Sequence, residues 1–268
     1  MPGSPMPVSP EVPCQLQREL LRIALLGAGL LAVAAVVLSV ITGPGIALIW
    51  WLPGVACWGF VLWQCHRRLH LNRSPVDDRG FATLGHGNRT TLLRGLLIAG
   101  MAGFVFISPG AISPGLLYLP ATLYTAAALG DLLDGYLARR QQQITRLGTE
   151  LDTVLDAFGL VVAPLVAVMY DKLHVSYLLV SIAYYLFQWG LRWRQYHGLP
   201  VYPLPPSRLR RFLAGLQMTL VAIVLWPPLP GGITSTLGVA LMIPLLIGFC
   251  RDWLHVSGRL GVQRGRAS

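Results

Sequence analysis

Charge is scarce in this chain. Only 12% of its 268 residues are charged, about half the roughly 25% of a soluble domain, and the mean hydropathy is +0.59 with 54% hydrophobic residues. An ordinary soluble domain of this length is excluded. The few charges are also unbalanced, with 21 Lys and Arg against 11 Asp and Glu for a formal net charge of +10. Such a surplus can signal nucleic-acid binding. Here the basic residues stand singly and in pairs between apolar runs, with no basic domain to track a phosphate backbone, so no nucleic acid is expected as a partner. Cysteine is sparse too: Cys14, Cys57, Cys65 and Cys250 show no C-x-x-C spacing, and Cys57 lies in an apolar run. That leaves no disulfide or zinc site to read. Internal repeats are missing, and the six histidines scatter near loops without a role.

What the chain has instead is apolar runs near 20 residues long, the length at which a helix crosses about 30 Å of hydrocarbon. Backbone polar groups in lipid must be satisfied within the segment, which makes these runs helices rather than open strands. The expected fold is all-α, a polytopic transmembrane helical bundle of about eight spans, near residues 23–42, 46–64, 91–107, 112–130, 151–170, 175–191, 210–227 and 234–250. Pro120 and Pro164 fall inside these spans, where kinks widen a cleft or are absorbed by packing. Residues 1–22 read as a flexible N-terminal tail, because the first 17 are rich in Pro and Ser with no apolar period. The run after Arg18 and Arg22 is too long for a signal-peptide core and reads as an uncleaved span.

The connections fix an orientation. Those at Gly43 to Gly45, Ser108 to Gly115, Asp171 to His174 and Pro227 to Ile233 hold one basic residue, Lys172, while all 20 arginines fall in the other set. The positive-inside rule then places both termini in the cytoplasm of a protein integral to the cytoplasmic (inner) membrane. A hydrophilic stretch from His66 to Gly87 separates the first two spans from the other six. Residues 23–64 are thus a transmembrane hairpin and 65–84 a cytoplasmic linker; the hairpin packs on the rest or binds a partner, and its tryptophans Trp50, Trp51, Trp58 and Trp63 divide between interface and core.

Chemistry concentrates in residues 131–156, DLLDGYLARRQQQITRLGTELDTVLD. On one helix at 100° per residue, Asp131, Asp134, Gly135, Ala138 and Arg139 share an arc of roughly 140°. Gly148, Asp152 and Asp156 share about 80° on the next helix, so two helices present four carboxylates to one cleft. Charged groups at depth in a membrane cost about 2.5 to 3.5 kcal/mol each and call for compensation by ions or water. Two divalent cations neutralise a formal charge of −4, and hard oxygen ligands favour Mg2+, Mn2+ or Ca2+ over zinc. Such ions suit a diphosphate. Gly135, Ala138 and Gly148 leave backbone bare for a nucleotide, and Arg139 offers a fork for a phosphate or a pyrimidine carbonyl. Glu150 lies about 200° from Asp152 and faces a neighbour or solvent.

The spacing D-x2-D-G-x2-A-R-x8-G-x3-D-x3-D resembles the CDP-alcohol phosphatidyltransferase signature at every defined position. Asn88-Arg89-Thr90-Thr91-Leu92-Leu93-Arg94 is similar to the N-x-x-T-x-x-R start of that family's first core helix, with Gly87 where many members have proline. The resemblance implies a six-helix catalytic core at 85–255, a two-helix N-terminal addition and a basic C-terminal tail at 256–268. It also implies a reaction: an alcohol attacks a CDP-linked lipid donor such as CDP-diacylglycerol, giving a phosphodiester and CMP. By that correspondence Asp131, Asp134, Asp152 and Asp156 hold two Mg2+ or Mn2+ ions, and Asp156 is the catalytic base. Gly135, Ala138, Arg139 and Gly148 form the nucleotide pocket, joined by Asn88 and Thr91, which equally suit helix capping.

Arg192, Arg194, Arg208, Arg210 and Arg211 are candidates for a phosphorylated alcohol acceptor such as glycerol 3-phosphate, or for anionic membrane lipids. A homodimer is implied by resemblance alone. The competing class is an intramembrane carboxylate transporter coupled to a cation. It accounts for acidic residues in helices but leaves Arg139 and the small residues on the same arc unexplained.

Overall fold

In a computed structural model of the chain, residues 14–141 and 143–259 are described. They form eight α-helices: α1 (Cys14–Thr42), α2 (Pro44–His66), α3 (Gly85–Ala102), α4 (Tyr118–Arg140), α5 (Arg146–Met169), α6 (Leu179–Tyr196), α7 (Arg208–Val224) and α8 (Gly231–Val256). No strand occurs among the described residues. Each expected span corresponds to one helix. Five segments are long and apolar enough by themselves to cross a membrane: α1, α2, α3 with its 3-10 extension to Phe106, α5 and α8. Of the others, α4 carries Asp131, Asp134, Arg139 and Arg140, α6 holds Gln188, Arg192, Arg194 and Gln195 in its C-terminal half, and α7 has only 17 residues. Helix α1 begins at Cys14, inside the stretch expected as tail, and residues 1–13 lie outside the described residues. Pro120 sits in the first turn of α4 rather than at mid-span, where its missing N–H costs nothing. Pro164 lies inside α5.

The chain divides into two compact units. One holds the described residues up to Gly103 together with Ala126–Asp156; the other holds Phe104–Thr125 and the residues from Ala157 on.

In the first unit, α1 and α2 form a hairpin with a single linking residue, Gly43, whose φ of 91° is open to glycine at little cost. Gly27 lies against the indole of Trp58, which is 3% exposed and donates its ring N–H to Ala24 O at 3.2 Å. Trp50 is buried also, whereas Trp63 is exposed under the Arg67 guanidinium at 4.9 Å. Leu21, Leu25, Val33, Val36 and Val40 of α1 are exposed, as a helix facing lipid requires. Helix α3 packs through glycines: Gly95 against Val61 and Leu155, and Gly103 against Trp50. The linker is ordered. The Asn72 side chain, 3% exposed, donates to Phe81 O at 3.0 Å and Thr83 O at 2.9 Å, and Arg73 pairs with Gly80 across one bridge.

In the second unit, the Tyr177 hydroxyl meets Gln217 Oε1 at 2.5 Å, and Gln217 Nε2 donates to Leu241 O at 2.7 Å, tying α7 to α8. Lys172, the chain's one lysine, donates to Pro227 O at 2.9 Å and Leu229 O at 2.6 Å in the turn after α7. Partial burial holds its ammonium below its ordinary pKa.

Candidate active site

Three helices of the first unit build the site. The sequence N-x-x-T-x-x-R puts Asn88, Thr91 and Arg94 on successive turns of one α3 face, and all three are buried. The start of α3 is anchored by Glu19 of α1, which accepts from Leu84 N at 3.0 Å and pairs with Arg89 Nε at 2.7 Å. Asp131 and Asp134 come from α4, Asp152 and Asp156 from α5. The two-helix arrangement expected from the spacing is present.

At its centre stands a residue with no assigned role in the sequence reading. Arg94 Nη1 contacts Asp134 Oδ2 at 2.8 Å and Asp152 Oδ1 at 2.6 Å, and Nη2 contacts Asp131 Oδ1 at 2.9 Å and Asp156 Oδ1 at 2.6 Å. Its Nε donates to Ala127 O at 3.2 Å, so four of the five guanidinium donors are hydrogen-bonded, to Ala127, Asp134, Asp152 and Asp156, and Asp131 is held by charge alone. A Cβ on Gly130 would lie 2.8 Å from Arg94 Cγ. That glycine lets the arginine cross α4. Asp134, with its side chain 10% exposed, is the deepest carboxylate and also meets Thr91 Oγ1 at 3.1 Å; those of Asp131, Asp152 and Asp156 are 31%, 42% and 33% exposed.

The carboxylates fit a cation. Ligand oxygens of Asp131, Asp152 and Asp156 all lie within 4.8 Å of one another, and the donor set is purely hard oxygen, which suits Mg2+ or Mn2+. Four carboxylates and one guanidinium leave a formal charge of −3, so the electrostatic demand for cations is smaller than four aspartates alone suggest.

Beside the cluster, a cleft of about 200 Å³ is lined by all six residues expected at the nucleotide: Asn88, Thr91, Gly135, Ala138, Arg139 and Gly148. The small residues serve it in different ways. Gly135 is covered only by the end of the Arg139 side chain, with Nη1 at 3.2 Å from an added Cβ. Ala138 meets Gly87 across α3 and α4, where a Cβ on the glycine would lie 3.0 Å from the alanine's own. At Gly148 a Cβ would lie 2.6 Å from Asn88 Oδ1, so its bareness makes room for Asn88 on the cleft wall.

A family model described as CDP-alcohol phosphatidyltransferase matches residues 86–249, well over half of the chain. The chain belongs to the CDP-alcohol phosphatidyltransferase family. A relative, the CDP-diacylglycerol–glycerol-3-phosphate 3-phosphatidyltransferase of Cereibacter sphaeroides, is 30% identical over 107 residues. That match covers 38% of this chain and 47% of the relative, so the chain spans about half the length of the relative it matches.

For a CDP-alcohol phosphatidyltransferase, the cleft needs fixed walls, and these come partly from outside the signature. Asn88 Nδ2 donates to Asn72 Oδ1 at 3.2 Å and to Thr145 Oγ1 at 3.1 Å, while Thr145 Oγ1 accepts from Gly148 N at 2.9 Å and so caps the start of α5. Asn88 therefore lines the cleft through a polar knot rather than capping α3. Gln143 Nε2 reaches Thr83 O at 2.9 Å, and Arg146 N reaches Arg73 O at 2.9 Å, closing the linker over the α4–α5 turn. Glu150 pairs with Arg68 of the linker at 3.4 Å.

The signal for Arg94 was available: an ionisable residue inside an apolar helix is a functional candidate by default. By sequence alone its charge is equally at home among the arginines that set orientation. The five acceptor arginines belong to the second unit. Arg194 donates to Pro200 O at 2.8 Å, and Arg210 pairs with Asp252 at 2.9 Å beside a cavity of about 550 Å³ that Arg251 and His255 also line. Arg192, Arg208 and Arg211 are exposed.

Proposed function

We propose that this protein transfers a phosphatidyl or similar phospho-lipid group from a CDP-linked donor such as CDP-diacylglycerol to an alcohol, releasing CMP. The observation that carries the reading is the convergence of four signature aspartates beside a cleft lined by every nucleotide candidate. In this reading the cytidine nucleotide lies in the cleft against Gly135, with Arg139 over a phosphate or the pyrimidine carbonyl and Asn88 and Thr91 on the opposite wall. Asp131, Asp134, Asp152 and Asp156 hold divalent cations, Mg2+ or Mn2+ and two in number. Bound there, such ions supply charge stabilisation to the diphosphate and its leaving group.

Asp156 takes the acceptor hydroxyl proton as that oxygen bonds to the lipid-bearing phosphorus. The bond from this phosphorus to the bridging oxygen breaks, and CMP carries that oxygen away. Glycerol 3-phosphate is the proposed acceptor, in line with the relative's name and with the supply of arginines for its phosphate. The one-sided arginine distribution supports a cytoplasmic active site. Neither the fold nor the family match supports the homodimer.

The test is CMP release by purified protein given CDP-diacylglycerol with Mg2+ or Mn2+ and a panel of alcohols added singly. Stimulation by glycerol 3-phosphate is expected. Stimulation by another alcohol replaces the acceptor, and no release with any acceptor and either metal overturns the donor.

A further inference from the structure

Within the cluster, Arg94 has no part in the reaction as written, yet it is the most completely bound side chain there. It is 2% exposed, contacts all four signature carboxylates between 2.6 and 2.9 Å, and is held from behind by the Ala127 carbonyl. We infer that Arg94 is a built-in counter-cation, a positioning residue that keeps the four carboxylates converged when no divalent cation is present. The inference rests on the reading of the cluster as a cation site.

Four carboxylates drawn this close repel one another, and without an internal positive charge they must spread or take up protons. A guanidinium suits the task better than an ammonium. It is always charged, and its fork is rigid and planar: Nη1 donates to one aspartate from each of α4 and α5, while Nη2 donates to Asp156 of α5 and forms an ion pair with Asp131 of α4 at 2.9 Å. Arg94 thus bridges the two helices twice. Gly130 supplies the space for its stem. Two consequences follow. The metal-free protein keeps its aspartates in place, and cation affinity is moderated because one positive charge already sits among the ligands.

The experiment uses the full chain in detergent, measuring melting temperature in EDTA and in Mn2+, and Mn2+ affinity by paramagnetic-resonance titration. Arg94→Gln is expected to melt well below wild type in EDTA, to recover most of the loss in Mn2+, and to bind Mn2+ about tenfold more tightly or better, since a nearby positive charge is gone. Arg94→Lys keeps more of the metal-free stability than Arg94→Gln. Equal losses in EDTA and Mn2+ with unchanged or weaker Mn2+ affinity overturn the inference. Should Arg94→Gln fail to fold, Arg94→Gln/Asp131→Asn, which removes one negative charge as well, restores folding in EDTA if Arg94 acts as counter-cation; failure to restore it overturns the idea. Absence of Mn2+ binding by wild type overturns the metal reading instead, and the double variant still decides for or against Arg94.

Discussion

Gly148→Ala tests the cleft at its tightest point. The new Cβ would stand 2.6 Å from Asn88 Oδ1 and 3.2 Å from Thr145 Oγ1, so Asn88 must retreat by several tenths of an ångström. It has little freedom to do so, being 5% exposed and held to Asn72 and Thr145 at 3.2 and 3.1 Å. Losing both bonds costs about 2 kcal/mol, and leaving the amide buried without partners adds about 1 to 3 kcal/mol. Alanine returns about 1 kcal/mol of helix propensity over glycine. The net is a destabilisation of about 2 to 4 kcal/mol centred on the cleft wall. If Asn88 lines the nucleotide site, the donor KM should rise roughly 10- to 100-fold with kcat near wild type, because no contact of Arg94 is touched. Steady-state CMP release against donor concentration measures it. Adding Asn88→Ala to Gly148→Ala should then cost no more than Asn88→Ala alone, since the clashing oxygen is gone. An unchanged donor KM and melting temperature in Gly148→Ala would refute both the packing and the nucleotide assignment.

Asp156→Asn should abolish turnover while leaving donor binding largely intact, and normal turnover would remove Asp156 as the base. Arg139→Ala should weaken donor binding more than acceptor binding, read from the two KM values; a selective rise in acceptor KM would move that arginine to the acceptor. Glu19→Ala removes the Arg89 pair and the acceptor for Leu84 N, and should lower stability by about 1 to 2 kcal/mol, measured by thermal melting in detergent.

The aspartate motif was legible because helical geometry alone converts its spacing into two arcs, and the structure keeps those arcs on α4 and α5. The break between the first two spans was readable too, as a connection at Gly43 to Gly45, of which only Gly43 lies outside the helices. Arg94 was harder. Its charge fitted the topology count as well as a site, and only the three-dimensional crossing of α3 with α4 and α5 separates the two. Asn72 and Thr145 could not be read, because their partners lie 16 and 57 residues from them in the chain, and a loop asparagine or threonine has many ordinary uses. The early start of α1 escaped because the Pro and Ser of the first residues were extended too far as a pattern.

The N-terminal hairpin looked like an addition to a six-helix core, but its contacts make it part of what positions the chemistry. Val61 of α2 is fully buried against Gly95, the residue next to Arg94, and Leu155, the neighbour of Asp156, reaches the same glycine. About two and a half turns beyond Arg94, Gly103 lies against Trp50. At the other end Glu19 fixes Leu84 and Arg89, and Arg68 reaches Glu150 of α5. Helix α3 is therefore clamped by the hairpin at its start, its middle and its end. Because close-packed interiors transmit strain, a shift of α2 toward α3 moves the backbone that carries Arg94, and with it the point on which four carboxylates converge. The hairpin thus packs against the helix that positions the site without contributing a side chain to the cluster or the cleft.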